Sequence, residues 1–352
     1  MPDNPWKPSA RTREPAQPMQ PIIDSAGWTA TQLEGTDAWV YQLSDADVAE
    51  IHLAVDAIEA DDQELKFVTR EKFPLPKLSA ALADMKSELR DGRGLALIRG
   101  LPIEGRTRKQ IAIAFWGLGH HMGQAKSQNH RGHLLGHVTD LGADVSKQRG
   151  YMAKSGLNYH TDRADILSLC CLRKAKSGGA HRVCSSVALH NEMLKRRPDL
   201  AKELYWPFYR SRYGEIPVGE TQPWYRQPVF SIKDGYFAAT GISSSVLRGH
   251  ELPGITDLTE AQIEAMKMFQ ALAAEIALEV ELESGDITYV NCHVTYHGRS
   301  DYEDWPEPNR KRHLLRLWLN TNGERPLVEE IAREVYGVVT DGTVLTTPLD
   351  AA

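Results

Sequence analysis

The chain has 352 residues, 41% hydrophobic and 25% charged, with a formal net charge of −6 at pH 7. This is a globular composition, with material for one large β-rich domain or two ordinary ones. The slight acidity gives no basic footprint for nucleic acid, no apolar run approaches the roughly 18–20 residues of a membrane span, and the N-terminus carries no apolar signal core.

Met1 to Pro21 holds six prolines and few apolar residues, so residues 1–25 are expected to form an extended or disordered arm. Gly27 to Leu43 reads as short strands, with alternation around Trp39, Val40 and Tyr41. Ser44 followed by Asp45 and Asp47 marks a helix start, with Val48, Ile51, Leu53, Val55 and Ile58 as its apolar stripe. A second helix is expected over Leu78–Leu89, a buried strand over Gly94–Gly100, and a further helix opening at Thr107. This helical layer, about 44–121, precedes a strand-rich core at about 134–320 and a C-terminal extension, 321–352. Together 26–352 reads as one domain.

In the core, strands are expected at Asp165–Leu172, His181–Ser185, Phe208–Tyr213, Pro228–Ile232, Tyr236–Thr240, Asp286–Val290 and Arg312–Asn320. Helices are expected at Val187–Lys195, from Pro198, and over Ala261–Ala277, the last opened by the capping-box pattern Thr259-x-x-Gln262. Many short strands behind a helical layer suggest a jelly roll. The expected fold class is α+β with a mainly β core, a cupin-like double-stranded β-helix with flanking helices. Cys170, Cys171, Cys184 and Cys292 form no C-x-x-C pair and lie among apolar or β-branched residues. They read as buried free thiols in a reducing, cytoplasmic setting.

The chemistry gathers around Leu157-Asn158-Tyr159-His160-Thr161-Asp162. In an extended segment His160 and Asp162 leave the same face. With one more histidine they would form the two-His, one-carboxylate arrangement of non-haem Fe(II) oxygenases. His293 and His297 share strand parity, so spacing does not decide between them; His297, next to Gly298 where a strand can bend, is preferred. His130, His133 and His137 suggest a second cluster, but Gly132 and Gly136 interrupt any helix that would align them. His120 and His121 point apart at a helix end, where capping is the default.

On the last strand Arg312, Leu314, Arg316, Trp318 and Asn320 fall on one face, and His313, Leu315, Leu317 and Leu319 on the other. An inward face with two guanidiniums suits acids, since the planar fork matches a carboxylate bidentately. Structural ion pairs are the alternative.

His160-Thr161-Asp162, Ser177-Gly178-Gly179, His190-Asn191-Glu192, Gly285-Asp286, His297-Gly298-Arg299 and Arg312-His313-Leu314-Leu315-Arg316, in that order, resemble the TauD/TfdA branch of the Fe(II)/2-oxoglutarate-dependent dioxygenases. The resemblance implies a double-stranded β-helix, a ferrous ion on His160, Asp162 and His297, and 2-oxoglutarate and O2 as co-substrates. It implies that Arg312 clamps the far carboxylate of 2-oxoglutarate and that Arg316 meets the substrate or assists the co-substrate. One departure stands out. After the Gly-Gly pair the family usually carries an acidic residue and then Thr or Ser, whereas Ala180 and His181 follow here; His181 is the candidate donor in that place.

The activity implied couples decarboxylation of 2-oxoglutarate, to succinate and CO2, with C–H oxidation of a small molecule. In related halogenases the carboxylate ligand is missing, so Asp162 favours hydroxylation or a related desaturation, cyclisation or demethylation. Asn158 and Tyr159 flank the first ligand and are candidates to face the substrate, for which the second arginine suggests an anionic group. Tyr151 and Met152 are candidate lid residues, Asn291 a candidate to orient a ligand, and Trp224-Tyr225-Arg226 either stacks on a ring or packs under a loop. The competing readings are a non-catalytic jelly-roll module binding a metal or ligand, and metal-assisted hydrolysis. Homo-oligomerisation is open.

Overall fold

The structure, a computed structural model, describes residues 4–140 and 156–351. The candidate lid residues Tyr151 and Met152 lie outside the described residues.

Two β-sheets face each other, with helices on both outer faces. The larger sheet has seven strands. Across it run Val40–Gln42, Leu95–Arg99, Ile287–Asn291, Ile166–Arg173, His313–Asn320 and Gln124–Lys126, with Leu135–Thr139 also paired to His313–Asn320. The smaller sheet has four strands, in the order Leu278–Val280, His181–Ser185, Thr295–Arg299 and Leu157–His160.

Side-chain alternation explains the layering. Leu95, Leu97, Leu167, Leu169, Leu314 and Trp318 turn inward from the larger sheet and meet Val183, Leu278 and Val280 of the smaller one in a shared core. The intervening residues Ala96, Ile98, Cys170, Leu315, Leu317 and Leu319 face outward, onto the N-terminal helices. Cys184 and Tyr296 of the smaller sheet pack outward against helix Glu260–Ile276 through Phe269 and Leu272. The central strands Leu95–Arg99, Ile166–Arg173 and Ile287–Asn291 are thus buried on both faces, as a sheet covered on both sides requires. This is the expected jelly-roll core with flanking helices, and its strands do not close into a barrel among the described residues.

The helices begin where side chains satisfy free backbone N–H groups. Ser44 caps Asp45–Ala60, Thr107 caps Arg108–Met122 and Thr259 caps Glu260–Ile276. Elsewhere the sequence reading needs correction. Ala30–Glu34 is a helix rather than part of a strand, because Thr29 and Gln32 form their own capping box. Helix Ser244–His250 and strand Trp224–Gln227 had no sequence signal, and the latter exists by pairing with Phe208–Ser211. His293 and His297 do not share one strand: Ile287–Asn291 ends before a turn at 292–294, and Thr295–Arg299 begins afterwards.

The proline-rich arm is extended and, over its described part, pinned. Arg13 bridges Asp24 and Asp91 at 3.0 and 3.2 Å, and the backbone of Ile22 bonds both ways with the amide of Asn191. The C-terminal residues return to the β core, where Thr346 exchanges backbone bonds with Gly132 and Leu134.

Candidate active site

The smaller sheet assembles the first constellation. Strand Leu157–His160 runs antiparallel to Thr295–Arg299 and sets His160 opposite His297. The ring centroids are 4.3 Å apart. Asp162, just past the strand end, brings Oδ1 to 4.0 Å from His160 Nε2. One donor atom from each of the three lies within 4.8 Å of the others.

Neighbouring groups fix how these donors point. His160 Nδ1 lies 2.8 Å from the Asn158 carbonyl, which only accepts, so Nδ1 carries a proton and Nε2 is the nitrogen left for a metal. Trp318 Nε1 donates to Asp162 Oδ2 at 2.8 Å, leaving Oδ1 toward His160. Burial opposes ionisation of Asp162, but Arg316, His297 and His160 hold its carboxyl below the ordinary value. Burial and the neighbouring His160 push His297 well below the ordinary imidazole value. An ionised Asp162 and a neutral His297 are the states a metal requires of them, and His297 Nδ1 is buried with no hydrogen-bond partner. The donor set fits a ferrous ion. His293 is engaged elsewhere: its Nε2 meets Asp165 Oδ1 at 2.8 Å.

A second group of donors lies against the triad. Arg312 is 5% exposed. Its NH2 donates to the Gly179 carbonyl at 3.2 Å, while its NH1 is buried without a partner. Gly179 has φ +79°, and a Cβ there would stand 3.0 Å from Arg312 Nε. The glycine is therefore what lets the guanidinium lie flat on the turn. His181 is buried beside the His297 ring, centroids 6.1 Å apart, with neither ring nitrogen hydrogen-bonded. Burial, with Arg312 and His160 nearby, pushes it down to about 4, so it is a neutral ring with one N–H to offer. Idle buried N–H groups on Arg312 and His181 fit the carboxylate of 2-oxoglutarate. Arg299, which the sequence reading left without a role, is buried over the Tyr302 ring at 4.6 Å. Burial and the Arg312 charge lower it to about 10.

Arg316 occupies a different position from Arg312. Its Nε donates to Gln128 Oε1 at 2.7 Å, and its NH1 is 3.7 Å from Asp162 Oδ2. It braces the Asp162 carboxylate. Asn158 is exposed and lines the cavity. Tyr159 does not: it is buried in the outer core beneath helix Glu260–Ile276, where Gln270 bonds its backbone N–H and carbonyl. Strand alternation sends it to the face opposite Asn158. Asn291 does not reach the triad; its Nδ2 donates to the Leu89 carbonyl.

The triad, His181, Arg312 and Arg316 open into a cavity of about 840 Å³, within the usual range for small-molecule sites. Its far wall comes from the strand Phe208–Ser211 and the residues after it, with the C-terminal extension. Arg163 and Arg212 both pair with Glu334 of the C-terminal extension and flank the Tyr225 ring at 5.2 and 5.1 Å. Trp224-Tyr225-Arg226 is thus a packed strand. Arg210, from strand Phe208–Ser211, also lines this wall. Only the alternation of Arg210 with Phe208 hinted that it would turn inward.

Comparison with known proteins places this arrangement. Residues 61–318 match the family described as "Taurine catabolism dioxygenase TauD, TfdA family". FR-33289 synthase of Streptomyces rubellomurinus is 30% identical over 332 residues, which is 91% of this chain and 96% of that protein. The taurine hydroxylase-like protein SAT17 of Stachybotrys chartarum is 28% identical over 312 residues, 84% of this chain and 79% of that one. Among solved structures, the non-haem iron oxygenase OrfP with Fe and α-ketoglutaric acid superposes with a TM-score of 0.61 at 16% identity, covering 87% of this chain and 99% of that one. Asparagine oxygenase with Fe(II), 3-hydroxyasparagine and succinate gives 0.60 at 16% identity, covering 80% and 93%. The chain belongs to the TauD, TfdA family and is a non-haem dioxygenase that uses Fe(II), 2-oxoglutarate and O2.

Proposed function

We propose that the protein oxidises a C–H bond of a small anionic molecule, with His160, Asp162 and His297 holding the iron and Arg312 and His181 holding the far carboxylate of 2-oxoglutarate. The observation that carries this reading is that two groups share one cavity: three possible metal donors within 4.8 Å of one another, and a buried arginine whose NH1 has no partner. The bound iron supplies O2 activation coupled to decarboxylation of 2-oxoglutarate to succinate and CO2.

The chain's own residues do the rest. Arg312 binds and orients the co-substrate by charge and by its planar fork. Trp318 and Asn158 fix the donor atoms. Presence of Asp162 supports hydroxylation or a related oxidation, because a halogen site would need that position open. The solved relatives hold 3-hydroxyasparagine and L-arginine; each carries a carboxylate group, which supports a substrate that carries one. The four buried, unpaired cysteines support a reducing, cytoplasmic setting. No helix among the described residues is long and apolar enough to cross a membrane. A non-catalytic binding module is not favoured, since neither a metal ligand nor the arginine clamp is missing.

The test is anaerobic titration of Fe(II) and 2-oxoglutarate into apoprotein, following the weak visible charge-transfer band of the chelate. Wild type should develop the band, Asp162→Ala should lose it, and Arg312→Ala should need at least about tenfold more 2-oxoglutarate. A folded, iron-loaded wild type without the band would refute the assignment.

A further inference from the structure

Another buried guanidinium faces the cavity and is used by neither the metal donors nor the 2-oxoglutarate clamp. Arg210 is 4% exposed and lines the cavity. Its NH1 donates to the Gly241 carbonyl at 2.7 Å and its NH2 to Thr240 Oγ1 at 2.9 Å. Its Nε has no partner. Both acceptors are neutral, and among the described residues no carboxylate pairs with it. Arg163 and Arg212, by contrast, share Glu334, and Arg316 lies by Asp162; Arg299 and Arg312 lie together over the Tyr302 ring, at the clamp. A buried cation without a counter-charge is costly unless a ligand provides one.

Its position is as informative as its charge. Gly241 packs so closely on the metal strand that a Cβ there would meet Thr161 N at 2.3 Å and His160 Cα at 2.4 Å. Gly241 N also donates to Thr161 Oγ1 at 2.9 Å. The loop that cradles Arg210 therefore rests on the backbone joining His160 to Asp162. The charge of the cavity points the same way. Basic side chains outnumber carboxylates among the described lining residues, seven to three. Fe(II) and the 2-oxoglutarate dianion cancel each other, so the loaded site keeps this excess.

We propose that Arg210 is the recognition residue for the primary substrate, taking a carboxylate or sulfonate head group on its unpartnered N–H groups and holding the rest of the molecule against the metal. This rests on the iron and 2-oxoglutarate reading of the site. It assigns substrate recognition to Arg210 rather than Arg316, whose guanidinium is occupied in bracing Asp162. A substrate anchored by its anionic end on this wall presents its carbon chain toward the iron, which makes distance from the head group the determinant of which C–H is oxidised.

The alternative is that Arg210 only braces the Thr240–Gly241 turn. Propane-1-sulfonate, butyrate and neutral butyramide are titrated into the anaerobic Fe(II)·2-oxoglutarate protein, followed by calorimetry and by change in the chelate band. Wild type, Arg210→Met and Arg210→Lys are compared. Wild type should bind at least one anion about tenfold or more tighter than butyramide. Arg210→Met should lose that preference while its 2-oxoglutarate midpoint moves by less than about twofold; Arg210→Lys, which keeps the charge without the fork, should keep part of it. Should the Met variant fail to fold, the Lys variant alone decides, by a severalfold loss for anions and none for the amide. Equal anion binding in wild type and variant, or no preference for anions in wild type, overturns the proposal. A wild type that lacks the chelate band yet shows Arg210-dependent heat of anion binding would refute the cofactor reading and keep the anion site.

Discussion

Trp318 and Asp162 are joined by an indole-to-carboxylate hydrogen bond of 2.8 Å. The two residues come from different sheets: Trp318 turns inward from His313–Asn320, and Asp162 follows the end of Leu157–His160. The bond ties the edge that carries His160 and Asp162 to the arginine-bearing strand of the other sheet. It also occupies Oδ2, so the carboxylate is held with one oxygen toward the two imidazoles. Groups that orient a ligand from behind in this way typically carry about 10–100-fold in metal affinity.

Trp318→Phe should therefore weaken Fe(II) binding by about 10–100-fold while leaving the fold intact, since phenylalanine keeps most of the apolar contact. Anaerobic Fe(II) titration with circular dichroism as the folding control checks this. Unchanged affinity would mean that Arg316 alone orients Asp162.

Gly179→Ala tests the clamp without touching a charged group. The residue sits at φ +79°, and the added methyl would stand 3.0 Å from Arg312 Nε and 3.3 Å from Tyr302 Cβ. The guanidinium must move or the turn must strain. The expected result is a 2-oxoglutarate midpoint raised about tenfold, with Fe(II) affinity nearly unchanged, because a shift of a few tenths of an ångström at a bidentate site costs on the order of 1–2 kcal/mol.

His293 and His297 should separate cleanly. His297→Ala removes a metal donor and should abolish stoichiometric Fe(II) binding. His293→Ala leaves Asp165 with only its bonds to Thr321, from the backbone N at 2.7 Å and Oγ1 at 3.0 Å. It should lose about 2–4 kcal/mol of stability, as breaking a buried pair does, yet still bind iron. Urea unfolding and iron titration on both variants decide; iron loss in His293→Ala with a native-like spectrum would reverse the assignment.

The legible parts of the sequence were those where local pattern and tertiary demand agree. The alternation of Arg312 to Asn320 gave both faces of its strand correctly, because one face must pack on helices and the other on the inner core. His160-x-Asp162 was readable for the same reason, although Asp162 lies beyond the strand end. The choice between His293 and His297 was not readable from parity, since the turn at 292–294 resets it. Tyr159 was assigned to the substrate face from proximity, but strand alternation sends it under helix Glu260–Ile276. Arg210 drew no attention at all. Its meaning depends on Thr240 and Gly241, some thirty residues away, being folded onto the metal strand, and no local pattern encodes that.

The last prediction concerns acid. His137 Nε2 is 2.9 Å from the Pro348 carbonyl, which only accepts, so that nitrogen carries the proton. In the neutral ring Nδ1 then accepts, and His313 Nε2 donates to it at 2.8 Å. His313 Nδ1 in turn accepts from Arg173 at 3.4 Å. The chain is consistent only while both rings are neutral; a further proton would set two N–H groups against each other. Burial, with His137, Arg108 and Arg173 close by, accordingly lowers His313 to about 3, from an ordinary 6.5. Below pH 6.5 the unfolded chain takes up this proton and the folded chain does not, so unfolding is favoured as the pH falls toward 3. Each unit is worth about 1.4 kcal/mol, which makes the effect on the order of a few kcal/mol across that window. Urea midpoints should fall steadily from pH 7 to pH 4 in wild type. In His313→Gln, whose amide can donate to His137 without titrating, the fall should be shallower by roughly 1 kcal/mol or more; equal slopes would show that this histidine pair does not set the acid limit of the fold.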